Sequence, residues 1–500
     1  MTRSKERTAW SASGSLGSGA VTAAALAVQQ GLAAVVGVVI ARELGRTAET
    51  DGFFVAYGVF LVLAIAATAV RTVLLPPLAR ARQQGRLVGE TVGFGLALAF
   101  VALPIAAVGL LGADAFASVL TGFDEGTAQK TAAASLPWLV VAALAQLYAG
   151  LAASALAALN DYKTAALGYA AGSVLGLVFI LLRIGEEGIH AVVRGVAING
   201  AVAVAVPSLA LAYRARSRRG RSLVTRADLR QPAARLGALM AGIAFPLALQ
   251  VAYLICLPFA AHEGVGSVTS LGYAYIAGAA VIAMTSSALA LVTSVPLTRA
   301  GLDPVRAARH VKSSSWIGFI AVTGTAGVAA LVGPHLAATV LGGAYGESVG
   351  RELGWLVVAL TPWMLVTVSA VAAFPLTFVV RRGRGLPVAA VAVVATQLPL
   401  AWLGGAVAGV YGLAVALALS TGVGLLLILR ILGAIRLTLP DLVGAAAVVS
   451  ALALVAFVPP GLLLDPTIGA LCGTALYVAA LAVTRPAGLR SGWSYLRTLS

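Results

Sequence analysis

Residues Asp51 to Ala81 read DGFFVAYGVFLVLAIAATAVRTVLLPPLARA. This is one apolar run, longer than the roughly 20 residues a helix needs to cross about 30 Å of hydrocarbon. It is broken by a single charge, Arg71, and closed by Pro77-Leu78-Ala79-Arg80-Ala81. The ending returns as Pro296-Leu297-Thr298-Arg299-Ala300, which closes another apolar run 219 residues downstream. A repeated span with a repeated ending predicts a duplicated membrane unit.

The rest of the composition agrees. Of 500 residues 60% are hydrophobic and 10% charged, too apolar for a soluble chain of this length. Fourteen apolar segments long enough to span a bilayer follow one another, at about 19–41, 52–78, 91–112, 131–158, 164–183, 191–213, 236–260, 267–297, 314–333, 353–379, 386–404, 411–429, 442–459 and 468–484. The first is longer than the apolar core of a signal peptide and reads as an uncleaved helix. The two cysteines, Cys256 and Cys472, lie far apart in apolar segments, so neither a disulfide framework nor metal-ligand spacing is present.

Charge fixes the expected orientation, because loops on the cytoplasmic side collect Lys and Arg. With the N-terminus inside, the inner segments hold most of the 34 basic residues and a minority of the 18 acidic ones. The clusters are Arg3, Lys5 and Arg7; Arg80, Arg82 and Arg86; the arginines from Arg214 to Arg235; Arg299, Arg306, Arg309 and Lys312; Arg381, Arg382 and Arg384; Arg430 and Arg436; and Arg485, Arg490 and Arg497. Each falls at an even-numbered gap or at a terminus. One span more or fewer would put later clusters outside. The expectation is therefore an all-α integral membrane protein of about fourteen transmembrane helices, multi-pass, with both termini cytoplasmic. The net charge of +16 is then explained by topology and an anionic inner leaflet, so nucleic acid is not expected as a partner.

Two further matches extend the duplication. Ser118-Val119-Leu120-Thr121-Gly122 resembles Thr339-Val340-Leu341-Gly342-Gly343, and Pro137-Trp138-Leu139 resembles Pro362-Trp363-Met364, in the same order at nearly constant spacing. Six spans separate equivalent helices, so the two six-helix repeats share one orientation. The expected organisation is a cytoplasmic segment over 1–18, an N-lobe over 19–213, a basic linker over 214–235, a C-lobe over 236–432, two further spans over 433–484 and a cytoplasmic tail over 485–500.

The motifs of several enzyme classes are missing. None of the lysines follows a phosphate-cradling glycine pattern, and His262-Glu263 lacks the second histidine of a zinc-hydrolase helix. Catalytic residues, a metal and a cofactor are not expected, and the chain is not expected to be an enzyme. Asp and Glu are missing from the middle of every span, so a membrane-embedded carboxylate relay is not visible. Coupling by sodium or by the membrane potential stays open.

Arg71 is the one charge that this topology puts in the hydrocarbon zone, where an arginine costs at least ~2.5 kcal/mol and usually faces a bundle interior or an aqueous cavity. Its planar fork of donors suits the anionic group of a substrate; snorkelling to the inner interface is the plainer alternative. Gln29, Gln30, Gln146, Asn199, Gln250 and Gln397 are uncharged polar residues inside spans. Gln29, Gln30 and Gln250 fall at similar depth in the equivalent first spans of the two repeats. They read as polar lining of a cavity or as interhelical hydrogen bonds worth ~0.6 kcal/mol each. Gly168, Gly172 and Gly176 form a small-residue face suited to close helix packing.

The segments Ile40-Ala41-Arg42-Glu43-Leu44-Gly45, Asp51-Gly52-Phe53-Phe54-Val55-Ala56-Tyr57 and Pro77-Leu78-Ala79 resemble the first two helices of the multidrug/oligosaccharidyl-lipid/polysaccharide (MOP) exporter superfamily, and within it the lipid II flippase-like group of MurJ/MviN type. Val119 to Pro137 and its echo at Val340 to Pro362 resemble that group's third outer loop and fourth helix. The sequence departs from the group at Val36-Gly37 and Ala64-Ile65, where the group carries an Arg-Asp pair and paired arginines that are implicated in gripping pyrophosphate. The resemblance implies a flippase of the bacterial cytoplasmic membrane for a polyprenyl-linked saccharide, lipid II-like precursor or other amphiphilic anion, working by alternating access, with membrane lipids as partners and a coupling ion left open. A drug or metabolite exporter of the same superfamily is the alternative. The substrate-binding set expected is Arg71, Gln29, Gln30, Asp51 and Gln250.

Overall fold

The computed structural model describes residues 31–122, 126–216, 232–287, 303–380 and 383–484, with 486, 488–490 and 494 beyond them. Among the described residues there is no strand, and twelve helices are long and apolar enough to cross a membrane by length and composition. The chain is an all-α, multi-pass membrane protein. A helix over 31–44 (α1) carries the end of the first expected span; Gln29 and Gln30 lie outside the described residues, as does Pro296 to Ala300. There follow α2 (Ala48–Gln83), α3 (Leu87–Leu111), the short α4 (Ala113–Leu120), α5 (Thr127–Ala158), α6 (Tyr162–Glu187), α7 (Ile189–Arg216) and α8 (Pro232–Ala261). Then come α9 (Ser267–Ile282), α10 (Pro304–Leu336), α11 (Glu347–Ala359), α12 (Thr361–Ala373), α13 (Leu376–Val379), α14 (Leu386–Leu432), α15 (Ile435–Leu463) and α16 (Pro466–Thr484).

Twelve and fourteen reconcile on two points. The first span begins before the described residues. The spans expected at 386–404 and 411–429 are two helical arms of α14, separated by a non-helical turn at Ala408 (φ −142°, ψ 20°) and Gly409 (φ 55°, ψ −137°). The turn is tight enough for the backbones of Gly404 and Gly412 to touch, and a side chain on either would strike the other's carbonyl. The tenth span, placed at about 353–379, is divided at Leu360 between α11 and α12. Pro362 is the reason: it has no N–H for the helix ladder, so it starts a new helix in its first turn.

The chain divides into two compact units, Met1–Leu44, Val55–Val119 and Phe123–Leu247 in the first, and Gly45–Phe54, Leu120–Gly122 and Ala248–Ser500 in the second. In unit 1, Val70, Leu74 and Leu78 of α2 bury against Phe94 and Leu98 of α3, Leu147 and Leu151 of α5, and Leu239 and Ile243 of α8. Lipid tails are as apolar as these side chains, so the gain is close packing rather than escape from water. Small residues deliver that packing between α6 and α7. A Cβ on Gly172 would sit 2.6 Å from the Asn199 carbonyl oxygen and 2.7 Å from its Oδ1, and one on Gly176 would sit 2.6 Å from the Gly195 carbonyl. In unit 2, Phe457 of α15 and Tyr477 of α16 join one cluster with α10, and the Tyr477 hydroxyl lies 2.7 Å from Thr323 Oγ1.

Candidate functional site

Asp51 lies in the first turn of α2 and is buried. In unit 2 it faces the N-terminus of α9, where the leading N–H groups lack helical acceptors. The Gly266 N–H donates to Asp51 Oδ2, while the Thr269 N–H (2.8 Å) and the Thr269 hydroxyl (2.6 Å) donate to Oδ1. Asp51 thus caps a helix more than two hundred residues away, with its charge at the positive end of that helix dipole. Arg46 completes the arrangement: its Nε donates to the Gly266 carbonyl at 2.9 Å and its terminal nitrogen to Glu352 Oε1 of α11 at 2.9 Å. Gly266 takes φ 88°, and any Cβ there would run into the Arg46 side chain, so glycine is required twice over.

Aromatic rings extend the same junction. Phe54 meets Tyr273 edge-on with centroids 4.9 Å apart, and Tyr273 meets Tyr345 at 5.8 Å. The Tyr345 hydroxyl donates to the Gly45 carbonyl at 3.3 Å, and burial pushes its pKa up to about 12, which keeps the proton in place at any physiological pH. Further along α9, the Tyr275 hydroxyl donates to Gln250 Oε1 at 3.0 Å, and the Tyr275 ring stacks on Tyr253 with centroids 3.9 Å apart. Asp51 and Gln250 are therefore brought to one helix, at its first turn and two turns on. Gln397 is fully buried between neighbouring helices: it accepts from the Ser420 hydroxyl at 2.5 Å and donates to Cys256 Sγ at 3.2 Å.

Arg71 belongs to unit 1. Among the described residues no carboxylate lies within ion-pairing distance of it, and its guanidinium carbon stands 5.5 Å from the centre of the Tyr169 ring on α6. Tyr169 is almost entirely buried, packed with Ala149 and Ala153 of α5, Ala165 of α6 and Ala203 of α7. Gly150 of α5 lets the arginine stem pass: a Cβ there would sit 2.8 Å from the Ala67 carbonyl and 3.3 Å from Arg71 Cγ. The arrangement holds a cation by an aromatic face rather than by a counter-ion.

Sequence reasoning singled out Arg71 because a lone charge in an apolar run stands out. It did not single out Tyr169, since an aromatic residue on an apolar helix looks like core. Arg46, Thr269, Tyr345 and Glu352 were missed for a different reason: their partners are brought in only by the fold.

Neither a family model nor a curated protein matches the sequence. Solved structures do match. The inward closed conformation of the lipid II flippase MurJ superposes with a TM-score of 0.72 at 14% identity, covering 93% of this chain and 98% of that one. The fold is that of the MOP-superfamily transporters. An inward-facing multidrug resistance MATE transporter of the MOP superfamily gives a TM-score of 0.63 at 16% identity, over 85% of this chain and 98% of that one. A MOP transporter from Pyrococcus furiosus, whose description reports a binding pocket of reversed polarity, gives 0.59 at 16% identity, over 82% and 93%. In this MOP fold the segments Ile40 to Gly45 and Asp51 to Tyr57, which carry the resemblance in sequence, lead into and through the α2–α9 junction.

Proposed function

We propose that the chain is a flippase-type transporter of the bacterial cytoplasmic membrane, moving a polyprenyl-linked saccharide or related cell-envelope precursor by alternating access of an N-lobe at 19–213 and a C-lobe at 236–432, both termini cytoplasmic. The observation that carries it is Arg71, a cation without a carboxylate partner among the described residues, inside a helix of a fold shared with a lipid II flippase. A guanidinium kept in an apolar bundle has a use when an anionic group passes it. The junction of Asp51, Arg46 and α9 supplies a bonded closure in unit 2 that a transport cycle would open and remake.

The test is native mass spectrometry of the protein extracted gently from its own membrane, wild type beside Arg71→Ala. A retained adduct with the mass of a polyprenyl phosphate or pyrophosphate carrying sugars, absent from the variant, is the expected result. Retention of the same lipid by both proteins, or of none by either, overturns the reading and moves the small-molecule exporter ahead.

A further inference from the structure

Within unit 2 the end of α14, the start of α15 and the start of α10 meet, and basic side chains gather there. Gly433 takes φ 70° and closes α14, with the Ala434 N–H returning to the Leu429 carbonyl at 2.9 Å, so the chain turns sharply into α15. A Cβ on Gly433 would lie 3.6 Å from Pro304 Cγ, which seats the first turn of α10 against this turn. The Lys312–Asp441 ion pair joins α10 to α15 a little further along. Arg430 and Arg436 flank Gly433, and Arg306 and Arg309 follow Pro304; all four are exposed.

Two carboxylates lie among these cations, and both are engaged. Asp303 accepts from the Arg306 N–H at 2.7 Å and pairs with the Arg306 side chain at 3.5 Å, while Asp441 holds Lys312. Arg309, Arg430 and Arg436 pair with no carboxylate among the described residues. The neighbouring sequence adds to this excess rather than cancelling it. Residues 1–30, 217–231, 288–302 and 381–382 together hold two acidic residues, Glu6 and Asp228, against eleven arginines and lysines.

The exposed face of α14 that ends in Arg430 runs back through Leu426, Leu419 and Val415, and on α15 the exposed Leu437 and Val443 follow Arg436. Cations at the end of an exposed apolar lane match an amphiphile with an anionic headgroup, and a guanidinium fork engages two phosphate oxygens at once. We propose that Arg309, Arg430 and Arg436 form a site for the headgroup of an anionic phospholipid, with its acyl chains along α14 and α15. The surrounding bilayer is the source, because the lane lies on the exposed face of these helices and basic side chains at a membrane surface attract anionic lipid. The site is independent of the role given to Arg71.

The purified full-length protein in neutral detergent is titrated with short-chain phosphatidylglycerol and short-chain phosphatidylcholine, and bound lipid is read by native mass spectrometry. Each basic residue beside an anionic headgroup is worth about fivefold, so the wild type should prefer phosphatidylglycerol by about tenfold or more. Arg309→Gln should lower phosphatidylglycerol affinity about fivefold, and Arg430→Gln with Arg436→Gln should remove most of the preference. Leu426→Ser should weaken phosphatidylglycerol binding while leaving the preference in place. Arg183→Gln, at an exposed arginine already paired with Glu186 and Glu187, removes the same charge elsewhere and should change nothing. Equal binding of the two lipids by the wild type overturns the proposal. So does an equal loss in Arg183→Gln, which would reduce the attraction to net charge. Wild-type binding by the Arg430→Gln, Arg436→Gln protein puts the lipid elsewhere and overturns the assignment. Displacement of the lipid by inorganic phosphate at equal concentration overturns the lipid as occupant, and wild-type affinity in Leu426→Ser overturns the course given to its chains.

Discussion

At the scale of single residues, two charges close to the same helix have opposite fates. Asp51 is buried and takes three donors from the start of α9, whereas Arg71, twenty positions later in α2, has an aromatic ring in place of a carboxylate. Arg71 was legible as an unusual residue and Asp51 entered through the family resemblance, but their partners were not legible, because Thr269 is 218 residues from Asp51 and nothing local ties the two. Asp51→Ala leaves the Gly266 and Thr269 N–H groups without their acceptor and the Thr269 hydroxyl with only Thr50 Oγ1 at 3.3 Å, and each loss of a bond to a charged acceptor is worth about 1.5–3 kcal/mol. Asp51→Ala should therefore lower the unfolding midpoint in an SDS titration clearly, with Asp51→Asn in between, since an amide oxygen keeps one acceptor without the charge. An unchanged midpoint for Asp51→Ala would mean that α9 is capped by something else. Arg46→Ala should cost less, about 1 kcal/mol or below, because the Arg46–Glu352 pair is partly exposed and screened.

Among the elements, hydropathy alone places the helices, and glycine places the contacts between them. The expected gap between 404 and 411 is realised as a turn because Gly404, Gly409 and Gly412 stand where side chains cannot. The span placed at 353–379 is divided because Pro362 sits in the first turn of a new helix, α12. The face of Gly168, Gly172 and Gly176 was legible as a packing surface, and α7 is the helix it receives. Its tightest test is Gly172→Val. The added side chain meets both the carbonyl and the Oδ1 of Asn199, and overpacking of this kind costs about 1–3 kcal/mol. Adding Asn199→Ala should not restore stability, since the backbone carbonyl remains in the way. Gly185, on the same α6 with open space around it, provides the control, and Gly185→Ala should leave the unfolding midpoint unchanged. Equal effects at the two positions would show that helix propensity, not the α6–α7 contact, decides.

For the whole molecule, the offset of 219 read from Pro-Leu-x-Arg-Ala coincides with two contacts between α2 and α9. Thr50 and Thr269 are 219 positions apart, and their hydroxyl oxygens lie 3.3 Å from each other. Phe54 and Tyr273, also 219 apart, pack ring against ring. Both contacts join residues separated by the offset read from the sequence repeats, and both lie at the N-terminal turns of α2 and α9. The sequence repeats were too short to say which residues would meet; the shared offset says it in retrospect. The proposed cycle makes a demand on this pair, because alternating access of the two repeats has to separate equivalents that are bonded here. In a background of Cys256→Ala and Cys472→Ala, Thr50→Cys with Thr269→Cys should cross-link readily on oxidation. The oxidised protein should lose lipid transport in reconstituted vesicles, and reduction should restore it. Full transport by the cross-linked protein would show that the α2–α9 junction stays closed throughout and that the moving elements lie elsewhere.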